Sequence, residues 1–191
     1  MSLRDLIERL QFGDQESSEK FPLRRLVDIF VRIAQGLEYA HSKGVVHRDL
    51  KPENVLLGEF GEVQIMDWGV AKRMVKEATV DAEGVVVGTP AYMSPEQASG
   101  EDSRVDHRSD IYSLGVMLYE VLALRRPYAS SNQQQQLEVI KNITPLAPSV
   151  IARDREVPAA LVLEGLKQQL LHTLHRHRER VLLRPPTLLR K

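Results

Sequence analysis

The sequence predicts a mainly α fold with one small β-hairpin element. Three stretches predict it. Leu23, Val27, Phe30, Ile33, Ala34, Leu37 and His41 recur every three or four residues, the spacing of one helical face. Ser109 to Leu124 is apolar nearly all round, the mark of a helix buried on every side. Val55-Leu56-Leu57 and Val63 to Met66 are short β-type runs flanking Gly58 to Gly61, which reads as a hairpin turn.

The remaining elements follow in order. Leu3, Leu6, Ile7 and Leu10 keep helical spacing behind Ser2, a natural N-cap, so residues 2–10 read as a short helix. Gly13 to Lys20 is polar and is expected to be a loop. Pro22 stands at the start of the long helix and Gly44 stops it. Val45-Val46 is a second short β-type run, and residues 70–90 carry Gly84 and Gly88 without a period, so they are expected to be irregular. Pro95 opens a short helix through Ala98. Pro145, Pro148 and Pro158 mark a loop before a Leu-rich C-terminal helix.

At 191 residues the chain is long enough for one domain with a substantial core. Net charge is zero, which removes a global electrostatic case for nucleic acid or an anionic membrane. There is no cysteine, hence no disulfide or thiolate chemistry, and a reducing, cytoplasmic location is expected. The longest apolar stretch, Ile111 to Leu124, is broken by Ser113 and Glu120 and is too short to cross a bilayer. Charge is uneven, however. Residues 161–191 hold seven Lys or Arg against two acids, and ten of those residues are Leu. A boundary is therefore expected near 160, with an atypical basic tail beyond it. His172, His175 and His177 in that tail lack the Cys or carboxylate that would complete a metal site, and its basic residues lack interleaved aromatics for nucleic acid.

The chemistry lies in His47-Arg48-Asp49-Leu50-Lys51-Pro52-Glu53-Asn54, with Asp67-Trp68-Gly69 beginning eighteen residues after Asp49. Phosphoryl transfer needs positioning and charge neutralisation more than covalent work. Asp49 is a carboxylate suited to meet a nucleophile's hydroxyl. Lys51 supplies a cation for the migrating group. Asn54 and Asp67 offer an amide oxygen and a carboxylate, the hard ligands that Mg²⁺ prefers.

These motifs resemble the H-R-D-L-x-x-x-N loop and D-F-G motif of the eukaryotic-type protein kinases, and residues 1–160 look like the C-terminal lobe of that family. Gly88-Thr89-Pro90-Ala91-Tyr92-Met93-Ser94-Pro95-Glu96 resembles the end of the family's activation segment. Asp110-Ile111-Tyr112-Ser113-Leu114-Gly115 resembles its buried helix, and the wording is especially like bacterial serine/threonine kinases.

The resemblance implies roles. Asp49 orients and deprotonates a protein Ser/Thr hydroxyl, Lys51 contacts the γ-phosphate of ATP, and Asn54 and Asp67 bind Mg²⁺. Lys51 with Thr89 implies serine/threonine specificity. Asp110 is expected to hold the catalytic-loop backbone, and Trp68, in place of Phe, to pack on His47. Arg48 implies control by a phosphorylated activation segment, for which Thr79 is the one hydroxyl between Val70 and Gly88; Glu96 is expected to pair with an arginine further along.

The family's Gly-rich loop, strand lysine and helix glutamate cannot be placed in the sequence, so the N lobe is expected to be absent, through a truncated product, a mis-set start or a genuine lobe-less protein. A shifted reading frame would account for the tail. The alternative to an enzyme is a catalytically silent C-lobe fragment that binds protein substrates or docks to another kinase.

Overall fold

The computed structural model describes residues 1–73, 89–128, 130, 132–143, 145–146 and 148–151, all within one compact unit, Met1–Val157. Thr79, the histidines of the tail and the boundary expected near 160 lie outside the described residues. The elements in order are α1 (Leu3–Gln11), α2 (Gln15–Lys20), α3 (Leu23–Ser42), β1 (Val45–Val46), β2 (Val55–Leu57), β3 (Val63–Ile65), β4 (Lys72–Arg73), α4 (Pro95–Ala98), α5 (His107–Ala123), α6 (Gln133–Asn142) and α7 (Pro148–Ile151). Mainly helix with two small antiparallel ladders is the observed class.

Helix α1 begins in a reciprocal cap. The Ser2 hydroxyl accepts from the Asp5 amide at 3.1 Å, and the Asp5 carboxylate accepts from the Ser2 amide at 2.8 Å. Its Leu3, Leu6, Ile7 and Leu10 are buried, as their spacing requires. The residues just before it pair with β2: the Met1 carbonyl accepts from the Leu57 amide at 2.8 Å.

The segment expected to be a loop is in part a helix. Asp14 caps α2 by accepting from the Ser17 amide at 3.0 Å, and Gln15–Lys20 then completes one and a half turns. Only Ser17 is buried there, so the helix carries no apolar stripe for a periodicity reading to find.

Helix α3 buries Leu26, Ile29, Phe30, Ile33, Leu37 and His41. Its end is set by Gly44 at φ +72°, a left-handed conformation that costs any residue with a Cβ, and the Gly44 amide returns to the His41 carbonyl at 2.9 Å. Helix α5 starts on Asp106, whose side chain accepts from the Arg108 amide at 2.8 Å, and stops at Leu124, also left-handed at φ +51°. Between these ends Leu114, Met117 and Val121 are almost fully buried. Helix α3 packs on α5, β1 and β3, so the two longest helices back the segments that carry the chemistry.

Strands β2 and β3 form the expected hairpin, in register Val55–Ile65, Leu56–Gln64 and Leu57–Val63. Strand β4 pairs with β1, Val45 opposite Arg73 and Val46 opposite Lys72. Residues 72–73 were expected to be irregular. Two-residue strands have no period of their own, and their pairing is fixed by a partner far away in sequence.

Candidate active site

The loop between β1 and β2 is held from below by one carboxylate. Asp110, in the first turn of α5, accepts the His47 amide on Oδ2 at 2.8 Å and the Arg48 amide on Oδ1 at 2.9 Å. His41, at the end of α3, places Nε2 2.7 Å from the same Oδ2. These groups are buried, so each bond strengthens in a low-dielectric setting and loss of the carboxylate would orphan two amides. Sequence reading marked Asp110 but left His41 as one more residue of a helical face. The signal that singles it out is a polar ring on an otherwise apolar stripe, which needs a partner when buried.

Arg48 is left-handed at φ +72°, a strained conformation for a long side chain. Three contacts impose it: the Asp110 bond to its amide, Gln97 Nε2 donating to its carbonyl at 2.6 Å, and its guanidinium ion-paired with Asp102. His47 is fully buried. The Asp49 amide donates to its Nδ1 at 3.3 Å, which leaves Nε2 to carry the proton and donate to the Met66 carbonyl at 2.9 Å. The imidazole therefore joins the catalytic-type loop to the residue before Asp67. Trp68 covers that link, its ring 4.6 Å from the His47 ring, and fixes itself by donating from Nε1 to the Ile65 carbonyl at 3.0 Å.

Above this support Asp49, Lys51 and Thr89 form a closed triangle. Asp49 Oδ1 accepts from the Thr89 amide at 2.7 Å and from its hydroxyl at 2.9 Å. Lys51 Nζ donates to Asp49 Oδ2 at 2.8 Å and to Thr89 Oγ1 at 2.9 Å. A cation and a carboxylate thus share one hydroxyl partner on a segment forty residues away.

Asn54 sits in a 3₁₀ turn, Pro52–Asn54, and donates its amide nitrogen to the Asp49 carbonyl at 2.9 Å. That orientation leaves the amide oxygen to act as a ligand. The Met66 amide donates to the Asn54 carbonyl at 2.8 Å, which brings the Asp67 segment alongside. Asp67 is exposed and left-handed at φ +59°. A Cβ at Gly69 would come within 3.2 Å of its Oδ1, so only glycine leaves that oxygen uncrowded. Among the described residues no group of three or more His, Asp or Glu forms a closed metal cage. An amide oxygen and one carboxylate suit a cation that takes its other ligands from phosphate and water, the habit of Mg²⁺.

Glu96 accepts from the Ser109 hydroxyl at 2.5 Å, tying α4 to the start of α5. Sequence reading missed a second buried acid. Glu120, read only as a break in an apolar run, is 2% exposed and accepts from Arg4 Nη1 at 3.0 Å and from the Tyr92 hydroxyl at 2.6 Å. Arg4 Nε reaches Glu53 at 2.9 Å, while another nitrogen of the same guanidinium meets Tyr92. Burial works against the Arg4 charge, but the Glu120 bond, the Tyr92 and Glu120 charges and the Glu53 bond together outweigh it and raise the pKa. Burial first, then the Glu120 charge, pushes the Tyr92 hydroxyl upward as well. No helix among the described residues is long and apolar enough to cross a membrane.

The family model described as the protein kinase domain matches residues 1–180. The chain is 40% identical over 152 residues to the serine/threonine-protein kinase PknD of Protochlamydia amoebophila, covering 71% of this chain and 15% of that protein. It is 41% identical over 154 residues to a probable serine/threonine-protein kinase of Streptomyces coelicolor, covering 78% of this chain and 22% of that one. With PknD of Chlamydia muridarum it shares 38% identity over 190 residues, 87% of this chain and 20% of the relative. The chain thus spans between 15% and 22% of the length of these curated relatives.

Proposed function

The chain belongs to the protein kinase family, with bacterial serine/threonine kinases as its relatives, and from that premise we propose that it transfers the γ-phosphate of ATP to a serine or threonine hydroxyl of a protein. In this reading the described unit is the helical C-terminal lobe, the side of the site that holds the acceptor and the metal. The family's Gly-rich loop and strand lysine are not among its motifs.

The observation that carries the reading is the Asp49–Lys51–Thr89 triangle. Asp49 is fixed by Thr89 so that its carboxylate can align an incoming hydroxyl and take its proton as the hydroxyl oxygen attacks. Lys51 is held beside it, where a cation would offset charge on the migrating phosphoryl group. Bound ATP would supply that group. Asn54 Oδ1 and Asp67 fit Mg²⁺ by ligand type, and Gly69 keeps the Asp67 oxygen accessible.

Purified chain with Mg²⁺-ATP labelled at the γ-position and a generic protein acceptor tests it. The expected result is label on Ser or Thr that Asp49→Asn lowers by about 10²–10⁴-fold, the usual worth of a general base. Equal label with both proteins, or none with either, would favour the alternative reading of a silent lobe that only binds other proteins.

A further inference from the structure

Residues 89–97 grip Asp49 twice. At one end Thr89 holds its carboxylate, through the amide at 2.7 Å and the hydroxyl at 2.9 Å. At the other end Gln97, the third residue of α4, donates from Nε2 to the Arg48 carbonyl at 2.6 Å. That carbonyl belongs to the peptide bond leading into Asp49, so one short segment sets both the side chain and the backbone of the same aspartate. The segment is itself pinned to α5. The Tyr92 carbonyl accepts from the Ser113 hydroxyl at 2.8 Å, and Glu96 accepts from the Ser109 hydroxyl at 2.5 Å.

The chemistry of Gln97 separates two jobs. Its Oε1 accepts from the Ser94 amide at 3.1 Å and from the Ser94 hydroxyl at 3.2 Å, which closes the start of α4. A glutamate would do that equally well, because this position of a helix start takes Glu or Gln alike. Its charge would even suit the helix dipole. The amide alone has an N–H to spare, and in this fold it is spent on Arg48. The residue is buried, so the bond is sheltered from bulk water. Arg48 makes that donor matter. Its φ of +72° is a conformation a chain keeps only where the surroundings impose it. Asp110 fixes its amide from α5, and Gln97 fixes its carbonyl from α4. Without the second hold the Arg48–Asp49 peptide plane is free to turn, and the carboxylate of Asp49 turns with it.

We propose that Gln97 is a positioning residue for phosphoryl transfer: its amide N–H sets the peptide ahead of Asp49, so that the segment carrying Thr89 aligns the base from both sides. The reaction named here rests on the kinase reading; the link between α4 and the loop does not.

The test compares Gln97→Glu, which keeps the acceptor for Ser94 and loses the donor, with Gln97→Met, which keeps the length and loses both. Both kcat and KM are measured with a serine peptide and Mg²⁺-ATP, and backbone amide exchange by NMR. Each variant is expected to lower kcat about tenfold, the scale of one hydrogen bond, and to leave the peptide KM unchanged. The amides of Asp49 and Thr89, which bond within the loop and across to it, should exchange faster in both. The Ala98 amide, bonded to the Ser94 carbonyl at 2.9 Å, should keep its protection in Gln97→Glu.

A Gln97→Glu chain with the wild-type kcat overturns the proposal, since the cap would then be the whole purpose of the residue. A raised peptide KM with kcat unchanged overturns it too, because Gln97 would then act on acceptor binding. Should the buried carboxylate keep Gln97→Glu from folding, Gln97→Met decides through the same split between kcat and KM. If the wild-type chain transfers no phosphate, the kinase reading falls and the exchange measurement still judges the link. Faster exchange at Asp49 and Thr89 then sustains it, and unchanged exchange removes it as well.

Discussion

His41 Nε2 lies 2.7 Å from Asp110 Oδ2, the oxygen that also accepts the amide of His47. One carboxylate on α5 is thereby fixed by the end of α3 and in turn fixes the loop that presents Asp49. The two largest helices of the described unit meet the site at this single group, and the geometry of the site depends on it.

Asp110→Asn is expected to destabilise the fold by about 3–5 kcal/mol, because an amide nitrogen would face an amide already donating and buried hydrogen bonds to a charged acceptor are worth about 1.5–3 kcal/mol each. His41→Phe removes one bond only and should cost about 1–2 kcal/mol. Urea denaturation followed by circular dichroism checks both. A loss for His41→Phe as large as that for Asp110→Asn would contradict the ordering.

Thr89→Ser keeps a hydroxyl for Asp49 and Lys51, while Thr89→Val keeps the shape and loses both bonds. Phosphorylation should fall about tenfold or more in the valine variant and little in the serine variant, since each lost bond of this kind is worth roughly 1–2 kcal/mol. The measurement is kcat at saturating peptide, with thermal melting to show that both variants fold.

Gly69→Ala places a methyl group 3.2 Å from Asp67 Oδ1. The carboxylate must give way, and the affinity for a divalent cation should drop several-fold, with the fold unaffected. Mn²⁺ titration followed by water proton relaxation reads this directly, against Asp67→Asn as the full loss. Unchanged Mn²⁺ affinity in the alanine variant, with Asp67→Asn weakened, would show that the glycine serves another purpose.

Asp106 caps the helix that carries Asp110. Burial pushes its carboxyl up, but hydrogen bonds from the Arg108 side chain and amide, with the nearby His107, outweigh this and hold it below the usual carboxylate range. A depressed carboxyl contributes stability above its unfolded pKa of about 3.9, and that contribution fades as pH falls through the lower folded value. Asp106→Ala should therefore cost about 1 kcal/mol at pH 7. The difference from wild type should shrink below about pH 4. Denaturation curves at pH 7, 4 and 3 would reveal it; a difference that grows in acid has the wrong sign.

Much of this was legible in the residues themselves. Helices α3 and α5 announce themselves because one is amphipathic over five turns and the other apolar all round, and hydrophobic period is what a sequence states most clearly. The hairpin of β2 and β3 is local, with its turn written in Gly58 and Gly61. Helix α2 was not legible, since it is held by the Asp14 cap rather than by an apolar face. The pairing of β1 with β4 joins segments more than twenty residues apart and leaves no local trace. At the site, the residue types of Asp49, Lys51, Asn54 and Asp67 could be read from their spacing. The supports could not: His41 and Glu120 look like minor breaks in apolar faces until their partners, Asp110 and Arg4, arrive from elsewhere in the chain.

Trp68 is the one tryptophan in the sequence, and its ring lies tilted against the imidazole of His47 while part of it meets solvent. Its emission therefore comes from a single known place, the joint between Asp49 and Asp67. Imidazole contact and solvent exposure both govern indole brightness and colour, so a shift in either reports movement of that joint. The protein carries an optical gauge of its own site, readable on the unlabelled chain whenever a nucleotide, a cation or a peptide is added.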